Sequence, residues 1–328
     1  MAVPLDLLDL LRDRHFHSGR TLGHELGIAR TTVWKHVKSL QRMGLEIHAV
    51  RGRGYRLARH FEALDPMAIR AALPTQLQDA AFGLTVLNQV DSTNTWLAEH
   101  ASGAADGTTC IAEQQLAGRG RGGRSWASPF GRNVYLSMLW RMPVRAVSGL
   151  SIAVGVCVAE ACEALGASAV SLKWPNDLLA VRDDVRHKLG GILVDVSSDD
   201  GYTSRCVVII GIGLNVDMSN SLRSSINQPV SDLNELAAKR VSRNALTAQV
   251  MERLMQAMPE FESEGLAPFR ARFLKRDVNL NRLVQVEQGG SLRSGLARGI
   301  DDSGALMVET SDGMTRFFSG DVSLRAAT

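Results

Sequence analysis

The spacing of hydrophobic residues in the first sixty positions predicts helices joined by a tight turn and followed by a hairpin. Leucines between positions 5 and 11 fall on one face of a leading helix. A short helix within 17–30 ends in a turn at Gly27, and a second helix runs from 31 to 43 before Gly44. Positions 48–57 then alternate like two short strands. This order predicts a winged helix-turn-helix, a unit whose second helix enters the major groove of DNA.

Beyond a short linker at 61–66, hydrophobic runs alternate between helical and strand periods, which predicts a mixed α/β sheet. Helices are expected at 67–73, after Asp91, at 151–165 and at 260–273, and strands at 84–87, 109–113, 133–140, 170–174, 188–194 and 205–210. Pro175 interrupts its strand and is expected to free Asn176 and Asp177 from the sheet ladder. The sheet would therefore carry polar side chains at its strand ends.

The last fifty residues alternate like short strands separated by turn sequences. The turns fall at Gly289-Gly290, at 301–304 and at 311–313, a spacing that predicts a small β-barrel. The chain is thus expected to be an α+β multidomain protein, with domains at 1–62, 63–274 and 275–328.

Composition narrows the class of protein. The chain has 328 residues, 45% of them hydrophobic and 22% charged, which suits two or three globular domains. No apolar run matches a membrane span and no signal-peptide pattern begins the chain, so we expect a cytoplasmic protein without a membrane partner. The four cysteines form no CxxC pair, so they are expected to be buried thiols.

Charge is distributed unevenly along the chain. The first sixty residues hold eleven Lys or Arg and five Asp or Glu, a net charge of +6, and the rest of the chain sums to −3. A basic head of this kind favours binding to a polyanion, although a solvated packing module would have the same pattern. The residues expected to lie near DNA are Arg30, Thr31, Thr32, Lys35, His36 and Lys38 on the second helix and Arg51 and Arg53 at the hairpin tip.

A glycine- and arginine-rich heptapeptide, Gly118 to Arg124, carries the strongest chemical signal. Glycine lets a main chain approach a phosphate closely, and arginine matches phosphate oxygens with a planar set of donors. Gly118, Gly120 and Gly123 also fit the GxGxxG dinucleotide fingerprint, but that motif requires a helix immediately afterwards. Because 125–131 is turn-like, we reject the dinucleotide interpretation.

Four further polar motifs flank this loop in a fixed order. Asp91-Ser92-Thr93-Asn94 opens a helix that Asp91 or Ser92 could cap, leaving N–H groups for a small anion or ureido group. The others are Lys173-Trp174-Pro175-Asn176-Asp177, Lys188-Leu189-Gly190-Gly191-Ile192-Leu193 and Gly211-Ile212-Gly213-Leu214-Asn215.

These five motifs in this order resemble the biotin protein ligase family, and with the basic head the chain resembles bacterial proteins that combine biotin ligase and biotin operon repressor. The resemblance runs essentially end to end. It implies that biotin and ATP, with Mg²⁺, form biotinyl-5'-adenylate, which passes biotin to a lysine of the biotin carboxyl carrier protein of acetyl-CoA carboxylase. It also implies an SH3-like C-terminal domain, operator DNA of biotin genes as a partner, and a homodimer when the adenylate is bound.

The resemblance assigns roles by motif position. The implied biotin-binding residues are Ser92, Thr93, Asn94, Gln115, Gly118, Arg119, Arg121 and Lys188. The implied ATP- or adenylate-binding residues are Arg119, Arg121, Arg124, Trp126, Asn176 and Asn215. Lys188, Arg121 and Asp177 are the implied catalytic residues, and Asp177 is the implied magnesium ligand.

Two departures from the family pattern bear on adenylate retention. Gly122 stands where the repressor-type loop has arginine, and 219–233, the expected adenylate loop, offers Ile226, Pro229 and Val230 in place of a stacking tryptophan. Three alternatives stay open: a ligase whose head no longer binds DNA, a lipoate ligase, and a biotin sensor without ligase activity.

Overall fold

The basic head folds as a winged helix-turn-helix in a computed structural model that describes residues 4–78, 82–199, 202–288, 291–318 and 322–326. Its elements are α1 (Leu5–Leu10), α2 (Gly19–Glu25), α3 (Arg30–Arg42), β1 (Ile47–Val50) and β2 (Gly54–Leu57). Ser18 caps α2 by accepting the N–H of Thr21 at 3.0 Å, and Gly27 makes the predicted turn with φ of 64°. The predicted helix-turn-helix and hairpin are confirmed.

A seven-stranded sheet forms the centre of the molecule, in the order β3-β4-β5-β9-β8-β7-β6. Its strands are β3 (Leu84–Leu87), β4 (Thr109–Ala112), β5 (Val134–Pro143), β6 (Val170–Lys173), β7 (Asp177–Arg182), β8 (Val185–Asp199) and β9 (Tyr202–Leu214). The β3–β4 pair is parallel and the other pairs are antiparallel. The sheet is therefore mixed, as predicted.

Helices pack against apolar residues on both faces of this sheet. They are α4 (Pro66–Ala71), α5 (Thr75–Gln78), α6 (Thr93–Glu99), α7 (Leu150–Ala164), α8 (Asn220–Ser225), α9 (Leu233–Leu236), α10 (Arg243–Glu264) and α11 (Ala267–Leu274). Eleven of the fifteen residues of α7 are buried, because this helix packs between the sheet, α10 and α11. No helix in the described part of the chain has both the length and the apolar character to cross a membrane.

The structure corrects four element boundaries. Asp177 is not free of the ladder: it opens β7 and pairs with Lys173 and Gly191, and only Asn176 lies in the turn. Lys188 lies inside β8 rather than at its mouth, and β9 continues through 211–213 instead of ending at 210. The helix expected at 260–273 is the end of α10, a break at Gly265 with φ of 65°, and α11.

The C-terminal strands pair in the order β13-β12-β11-β10-β14, all antiparallel. They are β10 (Leu283–Gln288), β11 (Ser291–Ile300), β12 (Leu306–Thr310), β13 (Gly313–Phe317) and β14 (Val322–Ala326). The turns at 301–304 and 311–313 are confirmed by positive φ at Gly304 and Gly313, while the turn predicted at 289–290 lies outside the described residues. Closure of this sheet into an SH3-like barrel stays a prediction.

One turn of this C-terminal sheet is fastened to the central sheet. The buried indole of Trp174 donates its Nε1–H to the carbonyl of Gly304 at 3.0 Å. Ser148 donates to the carbonyl of Ser303 at 2.7 Å, beside the same turn. The turn therefore supports the β6–β7 connection that carries Asn176 and Asp177.

The head is joined to the central domain by packing and by buried charge. The linker expected at 61–66 has no helix before Pro66, but Phe61 is buried and stacks on Phe130 with ring centroids 6.2 Å apart. Asp217 accepts hydrogen bonds from Arg59 at 3.1 Å, Arg132 at 3.2 Å and Arg240 at 2.9 Å. Burial disfavours the ionised Asp217, yet these guanidinium groups outweigh it and hold the pKa of Asp217 below its usual value.

All four cysteines are buried free thiols, as predicted. They are Cys110, Cys157, Cys162 and Cys206. Burial raises the pKa of Cys110, Cys157 and Cys162 to about 12, which leaves them protonated and unreactive at neutral pH.

Replacement of Glu113 tests the most deeply buried ion pair. Glu113 accepts from Arg243 and also from the backbone N–H of Leu64 at 2.7 Å, and the Arg243 and Glu113 side chains are only 4% and 2% exposed. Because Glu113→Ala leaves a buried guanidinium unbalanced, we expect it to lower the free energy of unfolding by about 3–5 kcal/mol, measured by urea unfolding.

Glu260→Ala, on the exposed side of α10, is the matched control and should change stability by no more than about 0.5 kcal/mol. A Glu113→Leu, Arg243→Met pair should recover most of the loss, because it removes both charges. An equal effect of Glu113→Ala and Glu260→Ala would contradict this account.

Candidate functional site

A cleft with about 720 Å³ of empty space, part of it open to solvent, lies against the middle strands of the central sheet. Its floor is formed by Gly191 on β8 and by Gly211 and Gly213 on β9. Successive side chains of a strand point to opposite faces, so these glycines alternate with isoleucines that enter the core. The same two strands therefore present glycines without side chains to the cleft and apolar side chains to α7.

One end of the cleft is a wall of neutral, hydrogen-bonded side chains. Thr93 donates its backbone N–H and its hydroxyl to Gln115 Oε1, at 2.9 and 3.1 Å. Ser137 Oγ lies 2.7 Å from Thr93 Oγ1 and 2.6 Å from Asn94 Oδ1, and the Gln115 amide donates to Ser128 at 3.1 Å. Such a wall can recognise a small uncharged polar group, because it offers donors and acceptors without net charge.

The helix-capping prediction for this wall is wrong. Ser92 occupies the N-cap position of α6, but its side chain makes no capping hydrogen bond. The first N–H of the helix, that of Thr93, is occupied by Gln115 instead of waiting for an anion.

The arginine-rich loop forms a small hairpin whose residues line the cleft. The N–H of Gly120 bonds to the Arg124 carbonyl at 2.6 Å, and the N–H of Trp126 bonds to the Gly118 carbonyl at 2.8 Å. Gly122 and Gly123 have φ of 66° and 72°, a region that L side chains rarely adopt. The loop contains one 3₁₀ turn at Arg121–Gly123 and then runs extended, which confirms rejection of the dinucleotide motif.

Arg119 ties this loop to the sheet. Its guanidinium donates to Asp195 Oδ2 at 2.8 Å, and the Asn94 amide donates to the same oxygen at 3.0 Å. Arg119 is half exposed, so solvent weakens the ion pair and leaves it easy to exchange for another anion.

The opposite end of the cleft is cationic and is built around Lys188. The Lys188 ammonium lies 2.7 Å from Asp177 Oδ1 and 5.5 Å from the ring centroid of Trp126. A β-bulge between Leu178 and Leu179 re-aims β7 and β8 at this point. Burial also lowers the pKa of Lys173, although the charge of Asp177 opposes that shift.

The backbone around Lys188 is fixed by residues outside the cleft. The Lys188 N–H bonds to the Pro229 carbonyl at 2.8 Å, and its carbonyl accepts from Ser231 at 3.0 Å. The Asn215 amide donates to the carbonyls of Lys188 at 3.3 Å and Ser231 at 3.1 Å. Asn215 thus orients the strand that carries the lysine.

The structure brings most of the predicted site residues together. Those that line the cleft are Ser92, Thr93, Asn94, Gln115, Arg119, Arg121, Arg124, Trp126, Asn176 and Lys188. Asp177 is absent from the described lining but is connected to the cleft by its ion pair with Lys188. Asn215 and Gly118 are absent from the described lining. The Asn215 amide bonds to backbone instead, and a Cβ on Gly118 would lie 2.6 Å from the Trp126 carbonyl.

The sequence interpretation missed several residues of the cleft. Ser125 and Gln228 line it, and Ser137 and Asp195 complete its hydrogen-bond network. Ile226, Pro229 and Val230 are absent from the described lining, and Val230 instead bridges to Lys188. The glycines of 190–191 and of 211–213 gave a sequence signal for the floor, whereas Ser137 and Asp195 join the site through strand register.

A second candidate surface lies on the head. A groove with about 1290 Å³ of empty space, part of it open to solvent, runs between α3 and the hairpin and is lined by Arg30, Lys38 and Arg51 from the predicted set. Arg53 and Lys35 are exposed beside it, and the Arg53 guanidinium lies 4.2 Å from the ring centroid of Phe16. Thr31 is exposed and Thr32 half-buried on α3.

Comparison with known proteins finds family models that match the central domain, the head and the C-terminal domain. The Biotin/lipoate A/B protein ligase family matches residues 86–215, an HTH domain matches 5–56, and the Biotin protein ligase C terminal domain matches 280–325. The chain is 40% identical over 329 residues to the bifunctional ligase/repressor BirA of Escherichia coli, covering 99% of this chain and 98% of that protein.

A second curated relative and a solved structure are also similar to this chain. The bifunctional ligase/repressor BirA of Salmonella typhimurium is 39% identical over 329 residues, with 99% and 98% coverage of this chain and of that protein. Among solved structures, the biotin protein ligase from Aquifex aeolicus in complex with biotin and ATP has a TM-score of 0.63 and 27% identity, covering 75% of this chain and 99% of that chain.

Replacement of the floor glycines tests the cleft geometry. A Cβ on Gly213 would lie 2.6 Å from the Trp126 indole, whereas a Cβ on Gly191 would find its nearest neighbour at 3.6 Å. We expect Gly213→Ala to lower the free energy of unfolding by about 1–3 kcal/mol, in the range of an overpacked core, and Gly191→Ala to change it by less than about 1 kcal/mol. Urea unfolding of both variants checks this, and equal stabilities would refute the close Gly213–Trp126 contact.

Proposed function

The chain belongs to the family of bifunctional ligase/repressor BirA proteins, and from that premise we propose that it is an ATP-dependent biotin protein ligase that also represses transcription. The observation that carries the ligase proposal is the cleft, which combines a neutral hydrogen-bonding wall with the cations Lys188, Arg121 and Arg124. Biotin has the matching character, a neutral ureido ring at one end and a carboxylate at the other.

The first half-reaction joins two anions. A biotin carboxylate oxygen attacks the α-phosphorus of ATP, the new P–O bond forms biotinyl-5'-adenylate, and the bond to pyrophosphate breaks. Lys188 and Arg121 would offset the repulsion between carboxylate and phosphate and stabilise the charge that develops in the transition state. Arg124 and Asn176, which also line the cleft, would hold the phosphate side.

Trp126 gives the adenylate a further contact. Its Nε1–H is buried, and no partner for it occurs among the described residues. A buried donor of this kind favours an acceptor on the bound molecule, because an unmatched donor costs free energy. The loop that ends at Trp126 would also keep water away from the mixed anhydride.

Magnesium fits the phosphate end of the cleft. The described residues contain no group of three or more His, Cys, Asp or Glu that could hold a metal by themselves. Mg²⁺ is commonly held by one carboxylate together with substrate phosphates and water, so Asp177 and Asn176 are the residues that would hold it. When bound it would neutralise phosphate charge.

In the second half-reaction, a lysine amine of the biotin carboxyl carrier protein of acetyl-CoA carboxylase attacks the anhydride carbonyl. An amide bond forms, AMP leaves, and the attacking nitrogen loses a proton. Asp177 is the proposed acceptor of that proton, because it is the carboxylate next to Lys188 at this end of the cleft.

The repressor half rests on the basic head. Arg30 and Arg51 line the groove beside α3, and Arg53 is exposed next to it, so phosphates of operator DNA of biotin genes can reach all three. We propose that the adenylate acts as corepressor and favours a homodimer, which would present two heads to a palindromic site. Carrier modification and operator binding would both take place in the cytoplasm.

Lys188→Ala tests the ligase proposal. With biotin, MgATP and a carrier domain, we expect the wild-type chain to add one biotin mass to the carrier and Lys188→Ala to slow that addition by about 10²–10³-fold, because one charged donor to the transition state is lost. Mass spectrometry of the carrier measures the rate. Lys275→Ala, exposed and outside the cleft, is the matched control and should keep the wild-type rate.

If Lys188→Ala adds biotin to the carrier at the wild-type rate, the proposed role of this lysine is wrong. Biotin binding without any mass gain in the wild-type chain would refute the ligase and leave a sensor. Lipoate offered in place of biotin should produce no mass gain.

Salt dependence tests the repressor proposal. Binding to DNA upstream of the biotin genes should weaken linearly in log affinity against log salt, and Arg51→Ala should reduce the magnitude of that slope by about one, because one phosphate contact is lost. Arg293→Ala, exposed in the C-terminal sheet, should leave the slope unchanged. Binding that is indifferent to salt, or to biotin with ATP, would overturn the repressor half.

A further inference from the structure

Trp34 stands out on the helix that would read DNA. Its side chain is 52% exposed, whereas Trp140 and Trp174 are buried and Trp96 and Trp126 are partly buried. Exposed single hydrophobic residues are ordinary on protein surfaces, so exposure alone means little. The position of Trp34 within the basic groove gives it meaning.

Trp34 lies in a strip of outward-facing residues along α3. Residues three or four apart share one face of a helix, so Arg30, Trp34 and Lys38 lie in a row. All three line the groove between α3 and the hairpin. The opposite face of the helix carries Val33 and Leu40, which are fully buried in the head core. The core therefore fixes the direction of Trp34.

The groove is suited to a polyanion. Its described lining includes the cations Arg20, Arg30, Lys38 and Arg51 and contains no carboxylate. A protein partner with an apolar anchor would also suit a tryptophan, but such a partner would have to cover four cations. The charge around Trp34 therefore favours nucleic acid.

Cations and indole would have different tasks in such a complex. Arginine and lysine contacts to phosphates position the helix but carry no sequence information. An apolar side chain in the major groove reads sequence by contacting the C5-methyl group of thymine, which cytosine lacks. Trp34 is the large apolar side chain in this strip that reaches solvent.

We propose that Trp34 is a specificity-determining residue that contacts the C5-methyl groups of thymine in the operator. This inference rests on the proposed repressor function. It adds a base-reading contact to a set of otherwise phosphate-binding residues. It also predicts that the operator half-site contains thymine where α3 enters the major groove of the DNA.

The test removes the methyl group and the indole separately. Duplexes are first selected from a random-sequence pool by the wild-type chain with biotin and MgATP. Each thymine of a selected duplex is then replaced singly by deoxyuridine, which lacks only the methyl group. The wild-type chain should lose about five-fold or more in affinity at one or two positions per half-site. Trp34→Ala should bind thymine and deoxyuridine equally at those positions.

Lys35→Ala is the matched control, because Lys35 is exposed on the same helix but does not line the groove. It should weaken binding to all duplexes and keep the loss on methyl removal. Thermal unfolding of Trp34→Ala should match the wild-type chain, since the side chain is outside the core. A methyl dependence that persists in Trp34→Ala, or that the wild-type chain lacks, would overturn the proposal while DNA binding stands. Failure of the wild-type chain to select any duplex would refute the repressor function and this inference together.

Discussion

The two-residue period of β8 and β9 is the constraint on which the site depends. Ile192, Ile210 and Ile212 point into the core against α7, so their neighbours must point into the cleft. Those neighbours include Gly191, Gly211 and Gly213, which leave room for a ligand directly above the sheet. The register that seals the core thus also sets the depth of the cleft, and a slip of one residue would exchange isoleucine for glycine on both faces.

The same ladder places the charged end of the cleft. Asp177 pairs with Gly191 across β7 and β8, and the bulge beside Leu178 aims Lys188 back toward that carboxylate. After β9 the chain leaves the sheet with Asn215, which holds the backbone of Lys188. Asp217 follows and accepts hydrogen bonds from three arginines, one in the head and two in the central domain. Three residues therefore lie between Gly213 in the cleft floor and Asp217, whose hydrogen bonds to arginines join the head to the central domain.

Local pattern predicted more of this molecule than long-range pairing did. The head was predicted because turn glycines and helical spacing are local signals, and most cleft residues were found because they lie in short motifs. Asp177 and Lys188 were misplaced within their strands because a proline and a bulge alter pairing with a distant strand. Ser137 and Asp195 escaped detection for the same reason: only sheet register brings them beside Asn94. Their sequence surroundings give no sign of a site.

The hydrogen bond from Trp174 to the Gly304 carbonyl makes the central domain depend on the C-terminal sheet. A turn of the C-terminal sheet completes the hydrogen bonding of a tryptophan within the Lys-Trp-Pro-Asn-Asp motif. Loss of that sheet would leave the indole N–H without this acceptor, two residues before Asn176 in the chain. Any sheet that replaced this one would have to place a backbone carbonyl at the same point, whatever its own sequence.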